Sequence, residues 1–257
     1  MQKIIVENLY KSFPIKSNSN ERLKVIDDIS LSVSNGEFIT FFGPNGCGKS
    51  TLINIIAGIS DFDKGLISIN SKTSQKAKTG IVFQNFSDSL MPWLNCLDNI
   101  LFAYKLKKRK NEYQDAKKRL FDLLDKLGIA LPLKNYLYQL SGGQRNLVAI
   151  LRTLIYKPDV ILFDEPFSAL DYENRMSLQK TLLKLWEEEK TTILFISHDI
   201  EEAIFLANRL VILSKLPAKI KSIVNVNFPY PRDHVLYEDE EFFALKKQCL
   251  EIFKQNV

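Results

Sequence analysis

The sequence predicts an α/β fold in which a glycine-rich loop joins a buried strand to a helix, with short strands before it and a helical insertion after it. Three observations carry this. The run Glu37–Phe42 is strand-like, Thr51–Ala57 is helix-like, and Gly43–Thr51 connects them with three glycines at close spacing. Asp159–Phe163 and Thr191–Ile196 are continuous apolar runs, as parallel strands buried on both faces require. From about Leu97 to Tyr156 the apolar residues recur instead at helical spacing.

In chain order, Lys3–Glu7 and Asp28–Ser34 alternate in polarity and read as strands. The polar stretch Pro14 to Glu21 between them reads as a loop. Gly65–Ile69 and Gly80–Phe83 are short apolar runs bounded by turn residues, hence strands. Helical spacing then appears in Leu97, Ile100 and Leu101, in Leu120, Leu123, Leu124 and Leu127, and in Leu147, Ile150, Leu151 and Leu154. After the two buried strands come helices over roughly 172–189 and 200–207, and Arg209–Leu213 is a further strand. Pro229 and Pro231 break the chain before an amphipathic helix near Glu240–Phe253.

The 257 residues, 46% hydrophobic and 25% charged, suit one large domain or a core with an inserted subdomain. No apolar stretch approaches the roughly eighteen residues of a membrane span. Met1–Glu7 carries charge where a signal peptide is apolar. A cytoplasmic protein that meets a membrane through a partner is expected. The net charge of +5 is a mild bias. The basic run Lys105–Lys110 reads as a solvated helix end, since no aromatic residues interleave with it, and no nucleic-acid partner is expected. His234 has no motif around it and reads as surface.

Gly43-Pro44-Asn45-Gly46-Cys47-Gly48-Lys49-Ser50-Thr51 fits the phosphate-binding pattern G-x-x-x-x-G-K-[ST] in its required strand–loop–helix setting. Glycines let backbone N–H groups curl around an anion, and the helix N-terminus adds a favourable dipole. Lys49 supplies positive charge for the β- and γ-phosphates of a nucleotide, and the Ser50 hydroxyl suits Mg²⁺. Downstream, Val160–Phe163 ends in Asp164 and Glu165. The first acid at such a strand end helps hold Mg²⁺, and the second can polarise an attacking water. Cys47, Cys96 and Cys249 are too dispersed for a zinc site or a disulfide framework. Because Cys47 lies inside the loop, a bulky thiol reagent there is expected to block nucleotide binding.

With these motifs the chain resembles the ATP-binding cassette ATPases over nearly its whole length. Leu140-Ser141-Gly142-Gly143-Gln144 is similar to the family signature and starts, at Ser141, 23 residues before Asp164. The resemblance implies a phosphate-loop NTPase core, 1–84 and 158–257, with an antiparallel β subdomain, and an inserted helical subdomain, 85–157, that carries the signature. It implies that Gln84 senses the γ-phosphate and contributes to the metal site with Ser50 and Asp164. It implies that His198 sits near the γ-phosphate, that Ser168–Asp171 crosses a dimer interface, and that Phe13, or failing it Tyr10, stacks on adenine. In the family two chains face head to tail, with ATP between the phosphate loop of one and the signature of the other. Glu165 would then act on water while Lys49, Mg²⁺ and His198 stabilise charge. An active ATPase is expected.

Leu90-Met91-Pro92-Trp93 before Leu97-Asp98-Asn99-Ile100 resembles the nitrate, sulfonate and taurine importer subgroup, as do Phe228–Arg232 and the acidic 238–241. Thiamine-precursor and bicarbonate importers share these traits. The resemblance implies a peripheral protein on the cytoplasmic face of the membrane, with two transmembrane permease subunits and an extracytoplasmic solute-binding protein. Phe86, Leu90, Met91, Pro92 and Trp93 would form an apolar groove for a partner helix; the other reading packs Trp93 beneath the helical insertion. Two further readings of the whole chain stay open, a soluble ATP-driven clamp or scaffold and an exporter or lipid-extraction ATPase. Leu151 and Thr153 stand where the family pattern has small residues, so packing against the core there is expected to differ.

Overall fold

Alternating side chains at the start of the chain build a long hairpin. In the computed structural model, which describes residues 2–15, 18–70, 77–84, 89–106 and 110–255, β1 (Gln2–Ile15) pairs antiparallel with β2 (Asn18–Ser34). In the described part of the stretch expected as a loop, Pro14 and Ile15 belong to β1 and residues 18–21 to β2, with Pro14 opposite Arg22 and Ile15 opposite Asn18. Ladder bonds need backbone, not apolar side chains, so an exposed hairpin outruns its hydrophobic pattern. β3 (Phe38–Phe42) leads through the glycine-rich loop into α1 (Lys49–Ile56). β4 (Lys64–Ile69) returns to the other edge of β1, giving an antiparallel sheet in the order β2-β1-β4.

β5 (Thr79–Val82) opens a second sheet. The helical insertion follows with α2 (Cys96–Ile100), α3 (Phe102–Leu106), α4 (Lys110–Leu127) and α5 (Gly142–Ile155). The core resumes with β6 (Val160–Asp164), α6 (Tyr172–Glu189), β7 (Thr192–Ser197), α7 (Ile200–Leu206), β8 (Arg209–Leu213), β9 (Ile220–Asn225) and α8 (Glu240–Lys254). The second sheet has the order β5-β6-β7-β3-β8-β9, parallel except for β9. β9 was not foreseen. Its inward residues are Ile220, Ser222 and Val224, while Ile223 faces solvent, so its apolar residues do not alternate.

Within the continuous apolar strands the period of two is still present. Ile161, Phe163, Ile193 and Phe195 join Phe38 in one cluster, shared with Leu120, Leu147 and Ile150 of the insertion. Val160, Leu162, Leu194 and Ile196 join Ile39, Phe41 and Ile53 in a second cluster, between the two sheets. A third cluster sets Phe42, Ile204 and Ile212 against Phe242 of α8. The buried Lys3 ammonium ties the sheets together through Asp159 at 2.8 Å. Among the described residues no helix is long and apolar enough to cross a membrane. Residues 107–109 of the basic run lie outside the described residues.

Two expectations are changed by packing. His234 is not a surface residue: it is half-buried, its ring stacked on Phe205 at 4.5 Å, because the chain after Pro231 folds back over α7. The buried Arg232 guanidinium holds that return by donating to the carbonyls of Ile204, Phe205 and Ala207 at 2.8–3.0 Å. The large residues in α5 are accommodated locally. Leu151 is fully buried, and Thr153 fits because its neighbour on β5 is Gly80, where an added Cβ would sit 2.4 Å from Thr153 Cγ2. Thr153 is stiff at χ1 and its hydroxyl donates to Ala149 O at 3.0 Å, so it cannot swing away freely. Gly80→Ala is therefore expected to destabilise the chain by about 1–3 kcal/mol. Adding Thr153→Ser, which deletes that methyl and keeps the hydroxyl, should recover most of the loss in denaturant titrations.

Candidate functional site

The parallel register sets the site. Phe42 is opposite Ser197, and Asp164 is opposite Ile196, so the residues that follow β3, β6 and β7 emerge along one edge. Ligands of open α/β sheets bind at this carboxyl edge. Gly48 precedes α1 with φ 114°, and a Cβ there would meet Val25 Cγ1 at 3.0 Å. Only glycine suits that turn. α1 has no side-chain cap at its N-terminus, which leaves the first-turn N–H groups for an anion. The buried Lys49 ammonium is held over the loop by the carbonyls of Gly43 at 2.8 Å and Pro44 at 3.1 Å, and lies 3.9 Å from Glu165 Oε1.

At the end of β6, Ser50 Oγ donates to Asp164 Oδ1 at 3.0 Å, joining the loop to the strand. Burial pushes the Asp164 carboxyl above the usual carboxylate range, and the Ser50 bond partly offsets this. A hydroxyl beside a half-buried carboxylate is a hard oxygen pair that fits Mg²⁺, which binds through one or two carboxylates plus substrate phosphates. Among the described residues no cluster of three or more His, Cys, Asp or Glu forms a self-sufficient metal site. Glu165 adopts φ 46°, fixed by its N–H donating to Ile196 O at 3.2 Å. Its Oε2 meets His198 Nδ1 at 2.9 Å. The Gln84 amide donates to Ser168 Oγ at 3.3 Å, and Ser168 Oγ donates to Glu165 O at 3.0 Å.

A cavity of about 500 Å³ gathers Phe13, Asn45, Gly46, Gly48, Lys49, Ser50, Thr51, Gln84 and Glu165, with Leu23, Val25 and Leu216. Phe13 lines it and Tyr10 does not. Its rim members Leu23 and Leu216 were not anticipated; isolated apolar residues in turns give no signal. Nor was the direct Glu165–His198 contact, since each residue pointed only to a shared phosphate. Gly43 and Cys47 are buried beneath the loop, and Cys47 joins the core between the sheets. Ser141, Gly142, Gly143 and Gln144 do not line the cavity. They form the start of α5 as a capping box, in which Gln144 N donates to Ser141 Oγ at 3.2 Å and Ser141 N to Gln144 Oε1 at 3.0 Å.

Trp93 is 69% exposed, so it does not pack beneath the insertion. Its loop is held by buried Asn99, which bonds the backbone of Met91 in both directions and donates to the carbonyls of Leu94 and Asn95. Leu90 is buried and Phe86 lies outside the described residues.

A family model described as ABC transporter matches residues 26–168. The chain is 41% identical to an uncharacterized ABC transporter ATP-binding protein of Methanocaldococcus jannaschii, over 99% of this chain and 92% of the relative. It is 39% identical to an aliphatic sulfonates import ATP-binding protein of Bacillus cereus, over 93% and 92%. It is 38% identical to a taurine import ATP-binding protein of Escherichia coli, over 90% and 92%. Among solved structures, a dimeric post-hydrolysis state of an ATP-binding cassette bound to ADP and Pi superimposes with a TM-score of 0.69 at 28% identity, covering 88% of this chain and all of that one. The chain belongs to the ABC transporter family, with the fold of its ATP-hydrolysing cassettes.

The loop thiol is shielded from solution. Burial raises the Cys47 thiol and pushes Cys96 and Cys249 up to about 11. At pH 8 the thiolate fraction of Cys96 and Cys249 is about one in a thousand, and only the thiolate attacks. Cys47 is 1% exposed, so a reagent is expected to modify it slowly in the folded chain. An aromatic disulfide reagent should leave all three cysteines unlabelled for many minutes under native conditions and label all three after denaturation. Fast native labelling of Cys47 would show an opening loop.

Proposed function

We propose that this chain is the ATP-hydrolysing subunit of a membrane importer for a small sulfonate-bearing solute of the aliphatic sulfonate or taurine kind. The observation that carries the chemistry is the convergence of Lys49, Glu165 and Gln84 on one cavity at the phosphate loop. In this reading Phe13 faces the adenine, and the loop N–H groups and Lys49 hold the phosphates. Ser50 and Asp164 would hold Mg²⁺, with Gln84 beside them, and Mg²⁺ when bound supplies neutralising charge to the phosphates. Glu165 orients and deprotonates the attacking water. His198 donates from Nδ1 to Glu165 Oε2 and keeps that carboxylate aimed at the water.

The helical insertion, 85–157, presents the signature residues Ser141–Gln144 to a second copy of the chain, so that two sites form across a two-fold axis. The importer assignment is supported by the named import proteins among the relatives and by the exposed Trp93 loop. That loop suits a helix of a separate permease subunit, with an extracytoplasmic binding protein delivering the solute. The subunit would then sit on the cytoplasmic face of the membrane.

Glu165→Gln should bind ATP, dimerise with it, and lose about a hundredfold or more in kcat. Turnover near wild type, measured by phosphate release, would remove Glu165 from this role. Trp93→Ala should abolish uptake of the solute in cells while the isolated subunit keeps its basal ATPase activity. Normal uptake would argue against the docking role of that loop.

A further inference from the structure

One buried polar chain remains outside the reacting groups. Glu202 on α7 is 5% exposed, and its carboxylate accepts two side-chain hydrogen bonds. Gln179 Nε2, from α6, donates to Oε1 at 2.9 Å, and Ser197 Oγ, from the last residue of β7, donates to Oε2. The Ser197 hydroxyl also accepts from Asp199 N at 3.0 Å. Because the Gln179 nitrogen is committed to Glu202, its oxygen is the acceptor on the far side. It receives His234 Nε2 at 3.1 Å and Tyr237 OH at 3.3 Å. His234 must therefore carry its proton on Nε2, and burial pushes that imidazole down to about 4, so it is neutral near pH 7. The chain runs from the segment after Pro231, through α6 and α7, to the residue before His198.

This arrangement is costly for packing alone. A buried carboxyl group gives up its hydration, and an apolar side chain of similar size would join α6 to α7 without that loss. What the carboxylate adds is direction. It fixes the Ser197 hydroxyl, which in turn holds the backbone N–H of Asp199, so both sides of His198 are pinned. His198 itself is 46% exposed, and its ring meets Glu165 Oε2 at 2.9 Å.

We propose that Glu202 and Gln179 are positioning residues for hydrolysis: through Ser197 they aim His198 at Glu165, and through His234 and Tyr237 they tie that aim to the seating of the segment after Pro231. This rests on the roles given to Glu165 and His198 under the proposed function.

The test is a double-mutant cycle in the full chain, with ATP turnover and thermal melting measured for Gln179→Leu, His198→Ala and their combination. Gln179→Leu should lower kcat about tenfold and leave KM for ATP within about twofold, because the phosphate loop is untouched. In the His198→Ala background the same change should cost less than about twofold. A full tenfold loss in both backgrounds, or no loss in a folded Gln179→Leu chain, would overturn the proposal. If Gln179→Leu does not fold, Ser197→Ala runs the same cycle with the same expectations. A His198→Ala chain that turns over like the wild type would instead show that the role of His198 was misread, and the positioning role would fall with it.

Discussion

The site depends on the residue-by-residue register of three parallel strands, β6, β7 and β3. Their pairing places Asp164 opposite Ile196 and Phe42 opposite Ser197. A slip of one residue would turn every side chain to the opposite face, and the two faces pack against different clusters. The fixed register lets Glu165 hold a left-handed backbone, which costs a non-glycine residue about 1–2 kcal/mol. The N–H bond from Glu165 to Ile196 O keeps that turn in place. Strain at one residue is thereby carried by the cooperative stability of the whole sheet.

Much of this was legible in the sequence because the strongest signals are local. The phosphate loop declares itself by spacing, and β3, β6 and β7 by apolar runs too short for helices. The spacing of Leu147, Ile150, Leu151 and Leu154 marked the helix that follows the signature. What was not legible is tertiary. The hairpin ran beyond its hydrophobic pattern, and β9 hid because Ile223 faces outward. His234 looked like a surface residue until Arg232 folded the chain back over α7. The loop cysteine stood out by position, but its burial in the core between the sheets gave no local signal. Phe13 could be named only by resemblance, since nothing local distinguishes a ring beside a cavity from one in a core.

The Trp93 loop shows structure spent on presentation. Asn99 is fully buried and commits both its oxygen and its nitrogen to the backbone of residues 91–95. The side chain that the loop displays is a tryptophan, large and rigid, with most of its surface in water. Rigid aromatic residues on a preformed backbone bind with little loss of conformational freedom.

The signature helix and the reactive turn are also joined inside one chain. Asn146, on α5 one turn beyond Ser141, donates to Pro166 O at 2.6 Å, next to Glu165. Both partners of this bond are shielded from water. The bond ties the start of α5 to the turn that carries Glu165, so the helical insertion and the core are joined by a buried polar contact as well as by their shared apolar cluster.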